Sequence, residues 1–249
     1  MARDTVVVYG LHSVRAALES APEQLAEVLL DRGRDDRRLQ ELAALCATYG
    51  VPVQRVPAAR LDALAEGARH QGVVASQRGG GALTEDELEG LLDALDGPPL
   101  LLVLDGVQDP HNLGACLRTA DAVGAHAVIA PRDRACGLTP VVRKVASGAA
   151  ESVPFVQVTN LARTLRALAA RGIWIVGAAG EADASLFQAD LRGPLALVLG
   201  AEGAGLRRLT REHCDLLIRI PMAGRVESLN VSVAAGVCLF EAARQRTAP

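Results

Sequence analysis

Five side chains in three glycine-bearing or polar loops, Asn112, Arg118, Glu202, Ser228 and Asn230, have the type and setting to do chemistry in this 249-residue chain. The first loop reads Asp109-Pro110-His111-Asn112-Leu113-Gly114 and leads to Arg118. The second reads Gly200-Ala201-Glu202-Gly203-Ala204-Gly205-Leu206, and the third runs from Ile220-Pro221 to Glu227-Ser228-Leu229-Asn230. Each follows an apolar, strand-like run and opens into a helical pattern. Ligands of open α/β sheets sit at the carboxyl ends of the strands, so three such loops define a candidate site. The Gly200 loop has the pattern G-x-x-G-x-G. It is neither the dinucleotide fingerprint G-x-G-x-x-G nor a P-loop, since no Gly-Lys-Ser or Gly-Lys-Thr follows. Glu202 would repel a phosphate there, and a carboxylate beside closely approaching backbone suits a cationic ligand better.

Each of these residues also has a purely structural reading. Asp109 and Pro110 make a good helix entry, as N-cap and first-turn proline. Arg118 stands in a small, apolar helical stretch, as either a surface charge or a buried, paired group. Asn112 and Arg118 are six residues apart and do not share a helix face. Ser228 and Asn230 both suit the cap of the last helix, and Gly200 could serve only its turn. Arg207, Arg208 and Arg211 could touch RNA phosphates or simply face water.

The elements that must position these loops alternate between strand and helix. Strand patterns fall at 5–9, 27–30, 51–56 and 72–76, with helical patterns at 13–20, 35–49 and 58–67. That predicts a small α/β sandwich over residues 1–78. Arg78-Gly79-Gly80-Gly81 breaks the chain, because three successive glycines are too costly in entropy inside an element. Residues 79–98 read as an acidic linker containing one short helix. From 99 to 249, strands are expected at 100–104, 127–130, 153–156, 173–178, 195–199 and 216–220, with a last helix at 231–246. Near-continuous apolar strands alternating with helices indicate a parallel sheet covered on both faces.

Composition bounds the function classes. No stretch reaches ~18 uncharged apolar residues, so a membrane span is not expected. The first fifteen residues do not resemble a signal peptide. Five scattered cysteines without a Cys-x-x-Cys pair read as reduced thiols of a cytoplasmic protein, and the five histidines show no ligand spacing, so no metal is expected. The net charge of −3 is unevenly spread. Residues 1–78 balance ten arginines against ten acids, residues 79–98 hold six acids and no base, and residues 99–249 hold sixteen bases against thirteen acids. Every basic residue except Lys144 is arginine, the planar donor suited to phosphate.

Taken together, the three loops resemble the signature motifs of the SpoU family of RNA ribose 2′-O-methyltransferases. The resemblance covers nearly the whole chain. Val8-Tyr9-Gly10-Leu11-His12-Ser13-Val14 and His70-Gln71-Gly72-Val73-Val74-Ala75 look like the substrate-binding domain that precedes the catalytic domain. Asn160-Leu161-Ala162-Arg163-Thr164, Ile173-Trp174-Ile175-Val176-Gly177, Thr210-Arg211-Glu212-His213-Cys214-Asp215 and Cys238-Leu239-Phe240-Glu241-Ala242 are similar to the branch that methylates a 23S rRNA guanosine. The resemblance implies an L30-like RNA-binding domain and a SPOUT-type catalytic domain with a C-terminal trefoil knot. It further implies a homodimer and S-adenosyl-L-methionine as methyl donor. By it, Gly200, Ile220 and Leu229 hold the cofactor, Arg118 acts on the ribose hydroxyl, and Asn112, Glu202, Ser228 and Asn230 fix the nucleotide and the arginine. The family pattern has a small polar residue where this chain has Glu227. Tyr9 and Tyr49 are the only aromatic residues of the first domain, which points to RNA recognition by shape and backbone instead of stacking. Two alternatives stay open: a tRNA or rRNA-adenosine target, and a non-catalytic RNA-binding assembly protein.

Overall fold

The computed structural model describes residues 5–78 and 81–247, and the chain divides between Gly81 and Ala82 into two compact units. In the first, β1 (Thr5–Tyr9), β2 (Leu25–Asp31), β3 (Val53–Val56) and β4 (Val73–Arg78) form one sheet in the order β1-β4-β2-β3. β4 runs antiparallel to both β1 and β2, and β3 parallel to β2. Strand side chains alternate between the two faces. Val73 and Ala75 pack with α1 (Leu11–Ser20) and α2 (Arg37–Thr48), whereas Val74 packs against Leu61 and Ala65, which belong to or adjoin α3 (Ala58–Leu64). This is the expected α/β sandwich.

The second unit opens with a difference from expectation. Residues 82–98, read as a linker, belong to this unit. Leu83 pairs with the strand that follows Pro154: its N–H donates to Phe155 O at 2.7 Å, and its carbonyl accepts from Gln157 N at 2.9 Å. Thr84 and Glu87 close a capping box at the start of α4 (Glu85–Asp93), and Leu88 is buried. Two of its six acids pair with α8 and its C-terminal end, Glu85 with Arg163 at 2.7 Å and Asp93 with Arg171.

The rest alternates regularly. β5 (Leu100–Asp105), α5 (Pro110–Ala122), β6 (Ala127–Pro131), α6 (Pro140–Ala146), α7 (Ala149–Ser152), β7 (Phe155–Val158), α8 (Leu161–Ala170) and β8 (Trp174–Ala178) come first. The short β9 (Ala184–Ser185), β10 (Leu195–Gly200), α9 (Arg208–Glu212), β11 (Leu216–Arg219) and α10 (Val231–Thr247) complete it. The sheet order is β7-β6-β5-β10-β8-β11-β9, with each neighbouring pair parallel. Leu100, Leu102 and Leu104 bury against α5, α6 and α10 on one face; Leu101 and Val103 bury against α4 and α8 on the other. The five cysteines are free, and burial pushes the Cys116 and Cys238 thiols up to about 12.

Two close fits fix the helices that flank the site. A Cβ on Gly114 would lie 2.7 Å from Val145 Cβ and 2.9 Å from the Val142 carbonyl, so only glycine lets α5 press onto α6. At the far end of α10, the Arg246 guanidinium donates to the carbonyls of Pro98, Pro99, Leu191 and Gly193, anchoring the helix to two segments. Gly114→Ala should force α5 and α6 apart and cost about 1–3 kcal/mol, the usual toll of overpacking. Urea unfolding at fixed pH checks this, and an unchanged midpoint would mean the helices part freely.

Candidate functional site

All three loops emerge at the carboxyl edge of the parallel sheet, after β5, β10 and β11. The first begins as expected, with Asp109 capping α5 by accepting from His111 N at 2.7 Å and Pro110 in the first turn. Asn112 lies on the buried side of α5, whereas Arg118 is exposed and, among the described residues, has no side-chain partner. The six-residue spacing separates them as the helical period requires.

The second loop folds back on itself. Gly205 N donates to Ala201 O at 2.9 Å, and a Cβ on Gly200 would sit 2.0 Å from the Gly205 carbonyl carbon. Glycine at 200 is therefore a condition of the turn, which brings main chain to the surface of a cleft.

The third loop supplies the junction. Asn230 Nδ2 donates to Asn112 Oδ1 at 2.9 Å and to Glu202 Oε1 at 2.5 Å. Its Oδ1 accepts from Ser232 N at 2.9 Å and from Ser232 Oγ at 2.6 Å, which caps α10. Both amide protons and the carbonyl oxygen are engaged, so the orientation of this amide is determined by its partners. Thus Asn112, Glu202 and Asn230, which lie far apart in sequence, form one hydrogen-bonded group. Ser228 lines the adjacent cleft without joining that group.

The cleft has a volume of about 1230 Å³ and is bounded by the Gly200 loop, the end of β8 and the segment from Ile218 to Val231. Gly200, Ile220 and Leu229 all lie on its wall. Of the charges lining it, Arg211 pairs with Glu181 and Arg219 donates to the carbonyls of Ala182 and Asp183. Arg225 and Glu227 are exposed, and among the described residues Glu202 is held by the neutral Asn230 amide. A cleft walled by main chain and small apolar groups, with a carboxylate not matched by a cation, fits a flat heterocycle carrying a positive centre. No three or more His, Cys, Asp or Glu side chains among the described residues are grouped to hold a metal.

One interaction here was not visible in the sequence. Asp105, the last residue of β5, has a side chain with no exposed surface. Its Oδ2 accepts from Arg207 N at 2.8 Å, and Arg207 Nε lies 3.3 Å from Oδ1. The guanidinium passes over Gly106, where a Cβ would be 2.8 Å from Nη2. Asp105 and Arg207 thereby tie the far end of the glycine loop to the strand that begins the Asn112 loop. An aspartate ending an apolar strand is a weak signal, and its partner lies 102 positions away.

A parallel sheet with a folded-back glycine loop, a cleft at its carboxyl edge and a polar cluster beside it defines the class of SPOUT-type methyltransferases. Residues 99–240 match the SpoU rRNA methylase family, and residues 7–78 match the RNA 2′-O-ribose methyltransferase substrate-binding domain. The chain belongs to the SpoU family. The 23S rRNA (guanosine-2′-O-)-methyltransferase RlmB of Yersinia pestis is 59% identical over 240 residues, covering 96% of this chain and 97% of the relative. Its namesake from Escherichia coli K12 is 57% identical over 241 residues, covering 97% and 99%. Among solved structures, the SpoU methyltransferase AviRb of Streptomyces viridochromogenes in complex with AdoMet is 28% identical with a TM-score of 0.76, covering 97% of this chain and 90% of that one.

Asp105→Ala would strip the acceptor from the part-buried Arg207 N–H, a loss of about 1 kcal/mol, whereas Asp105→Asn keeps an acceptor and should recover part of it. Equal melting temperatures for wild type and Asp105→Ala would show that the glycine loop holds its course without this tie.

Proposed function

We propose that this chain transfers a methyl group from S-adenosyl-L-methionine to the ribose 2′-oxygen of one guanosine in 23S rRNA. The observation that carries the reading is the joining of Asn112, Glu202 and Asn230 beside a cleft bounded by Gly200, Ile220 and Leu229. Identity above half to RlmB proteins across nearly the full chain supports the substrate class.

Gly200, Ile220 and Leu229 would hold the cofactor through a wall whose turn requires glycine at position 200. Bound there, S-adenosylmethionine supplies an electrophilic methyl on a sulfonium, so the protein's task is to position the ribose and help its hydroxyl lose a proton. Alignment of the reacting atoms can supply several kcal/mol, up to ~7–11 in well-oriented systems. Asn112, Glu202 and Asn230 form a fixed polar rim against which the nucleotide registers, and Ser228 adds a hydroxyl from the same cleft wall. Arg118 carries the charge that orients the ribose and the adjoining phosphate. Its guanidinium, with a pKa above ~12, is a poor proton acceptor and acts electrostatically. The first unit grips RNA away from the target nucleotide.

The enzyme acts as a cytoplasmic homodimer in this reading. α10 supports the pairing: Val233 and Phe240 are 51% and 55% exposed, with Val237 between them at helical spacing. Such a stripe is costly to leave in water. No helix among the described residues is long and apolar enough to cross a membrane.

Labelled-methyl transfer to protein-free 23S rRNA, followed by ribose-methylation mapping, tests the reaction. A single 2′-O-methylguanosine is expected; modification of tRNA alone would replace the substrate. Arg118→Ala should lower kcat by roughly 10²–10³, as loss of one electrostatic contact does, with an unchanged melting temperature. Full turnover in that variant would remove Arg118 from the mechanism. Val233→Glu with Phe240→Glu should convert the dimer to monomer in sedimentation velocity, and an unaltered sedimentation coefficient would place the interface elsewhere.

A further inference from the structure

Most arginines of the second unit have their charge matched by a neighbour, as Arg143 by Glu151, Arg163 by Glu85, Arg171 by Asp93 and Arg208 by Glu212. Six cations there have no side-chain hydrogen bond or ion pair among the described residues: Arg118, Arg132, Arg134, Lys144, Arg166 and Arg225. Arg132, Arg134 and Arg225 lie in the loops after β6 and β11, at the edge that carries the site, Arg118 and Lys144 on α5 and α6, and Arg166 on α8.

Three of the six fall in the β6–α6 segment. Residues 131–148 hold four bases and one acid, an excess of three that equals the whole excess of residues 99–249. Arg132, Arg134 and Lys144 are all exposed, and Asp133, the one acid, forms no ion pair with them. The segment is fastened to the Asn112 loop. Cys136 N donates to Val107 O at 2.8 Å, Gln108 Nε2 donates to the Arg134 carbonyl at 3.4 Å, and α6 lies against Gly114 through Val145, the neighbour of Lys144. Arg134 has φ 55°, a left-handed conformation unusual for a side-chain-bearing residue, and the Gln108 bond pins it. Unmatched cations on a loop tied to the site, with no aromatic residue between 131 and 148, suit phosphates and not stacked bases.

We propose that Arg132, Arg134 and Lys144 form a phosphate-binding track that holds the RNA backbone flanking the target nucleotide. The track rests on the reading of the chain as an RNA methyltransferase. It divides the work of the site: Asn112, Glu202 and Asn230 set the nucleotide, while the β6–α6 segment sets the strand that leads to it. Contacts of this kind carry register and affinity without base identity.

The test uses full-length wild type, Arg132→Ala with Arg134→Ala, Lys144→Ala and, as control, Arg166→Ala on α8 across the sheet. Binding to protein-free 23S rRNA is measured against potassium chloride concentration, alongside binding of S-adenosylmethionine alone and steady-state methylation. Each lost phosphate contact lowers the slope of log affinity against log salt by about 0.7–0.9. The double variant should lose about 1.5 from that slope, and Lys144→Ala about half as much. KM for rRNA should rise about tenfold in the double variant, with S-adenosylmethionine affinity and kcat at saturating RNA unchanged and the control like wild type. A wild-type slope and KM in the double variant and in Lys144→Ala, with wild type active, would overturn the track. So would loss of S-adenosylmethionine binding together with RNA binding, which would mark the segment as structural. An inactive wild type on every RNA would instead sink the functional reading, and the track with it.

Discussion

The parallel pairing of β5 with β10 sets Asp105 directly beside Gly200, and the site depends on what those two residues require. A carboxylate without exposed surface is costly unless it is met by a donor or a counter-charge; the Arg207 main-chain N–H donates to it, and the Arg207 guanidinium lies within ion-pair range. The loop leaving β10 must therefore return over β5. It can do so only because position 200 has no Cβ, since the returning Gly205 carbonyl passes where that atom would be. From this pair of demands follow the course of the glycine loop and the position of Glu202. The meeting of Glu202 with the Asn230 amide, which also donates to Asn112, follows as well. The polar cluster is thus a consequence of strand pairing and turn sterics before it is a device of catalysis.

Charge follows a similar division between support and exposure. The six acids of residues 79–98 dominate the net charge, yet two of them act as tethers, joining α4 to Arg163 and Arg171 of α8 and its C-terminal end. Surface pairs of this kind contribute little stability each. The β6–α6 segment keeps an excess of three positive charges, although the chain as a whole is at −3. Local and total charge differ in sign because the charges are unevenly spread along the chain.

The alternation of strands and helices was legible because each strand of the second unit is apolar on both faces and each helix on one. The expected strands are present within two or three residues of their predicted ends. The structure adds β9, whose two residues are too few to show a period. Residues 82–98 were misjudged because their acid content outweighed Leu83 and Leu88, two apolar residues that pair with a strand and enter the core. Asp109 and Pro110 could be placed as a helix entry, since capping depends on neighbours only a few residues away.

The sequence by itself determined the element order, the two-domain division near the glycine run, the glycine loop and the residue types offered at the strand ends. These are properties of local propensity and periodicity, written in adjacent residues. Only the tertiary structure decided that Asn230 bonds both Asn112 and Glu202, that Asp105 captures Arg207, and that Arg132, Arg134 and Lys144 are left without side-chain partners among the described residues. Those outcomes depend on which strands lie side by side. In a parallel sheet, strand neighbours are joined through long crossovers, so the groups that meet at its edge come from distant parts of the chain.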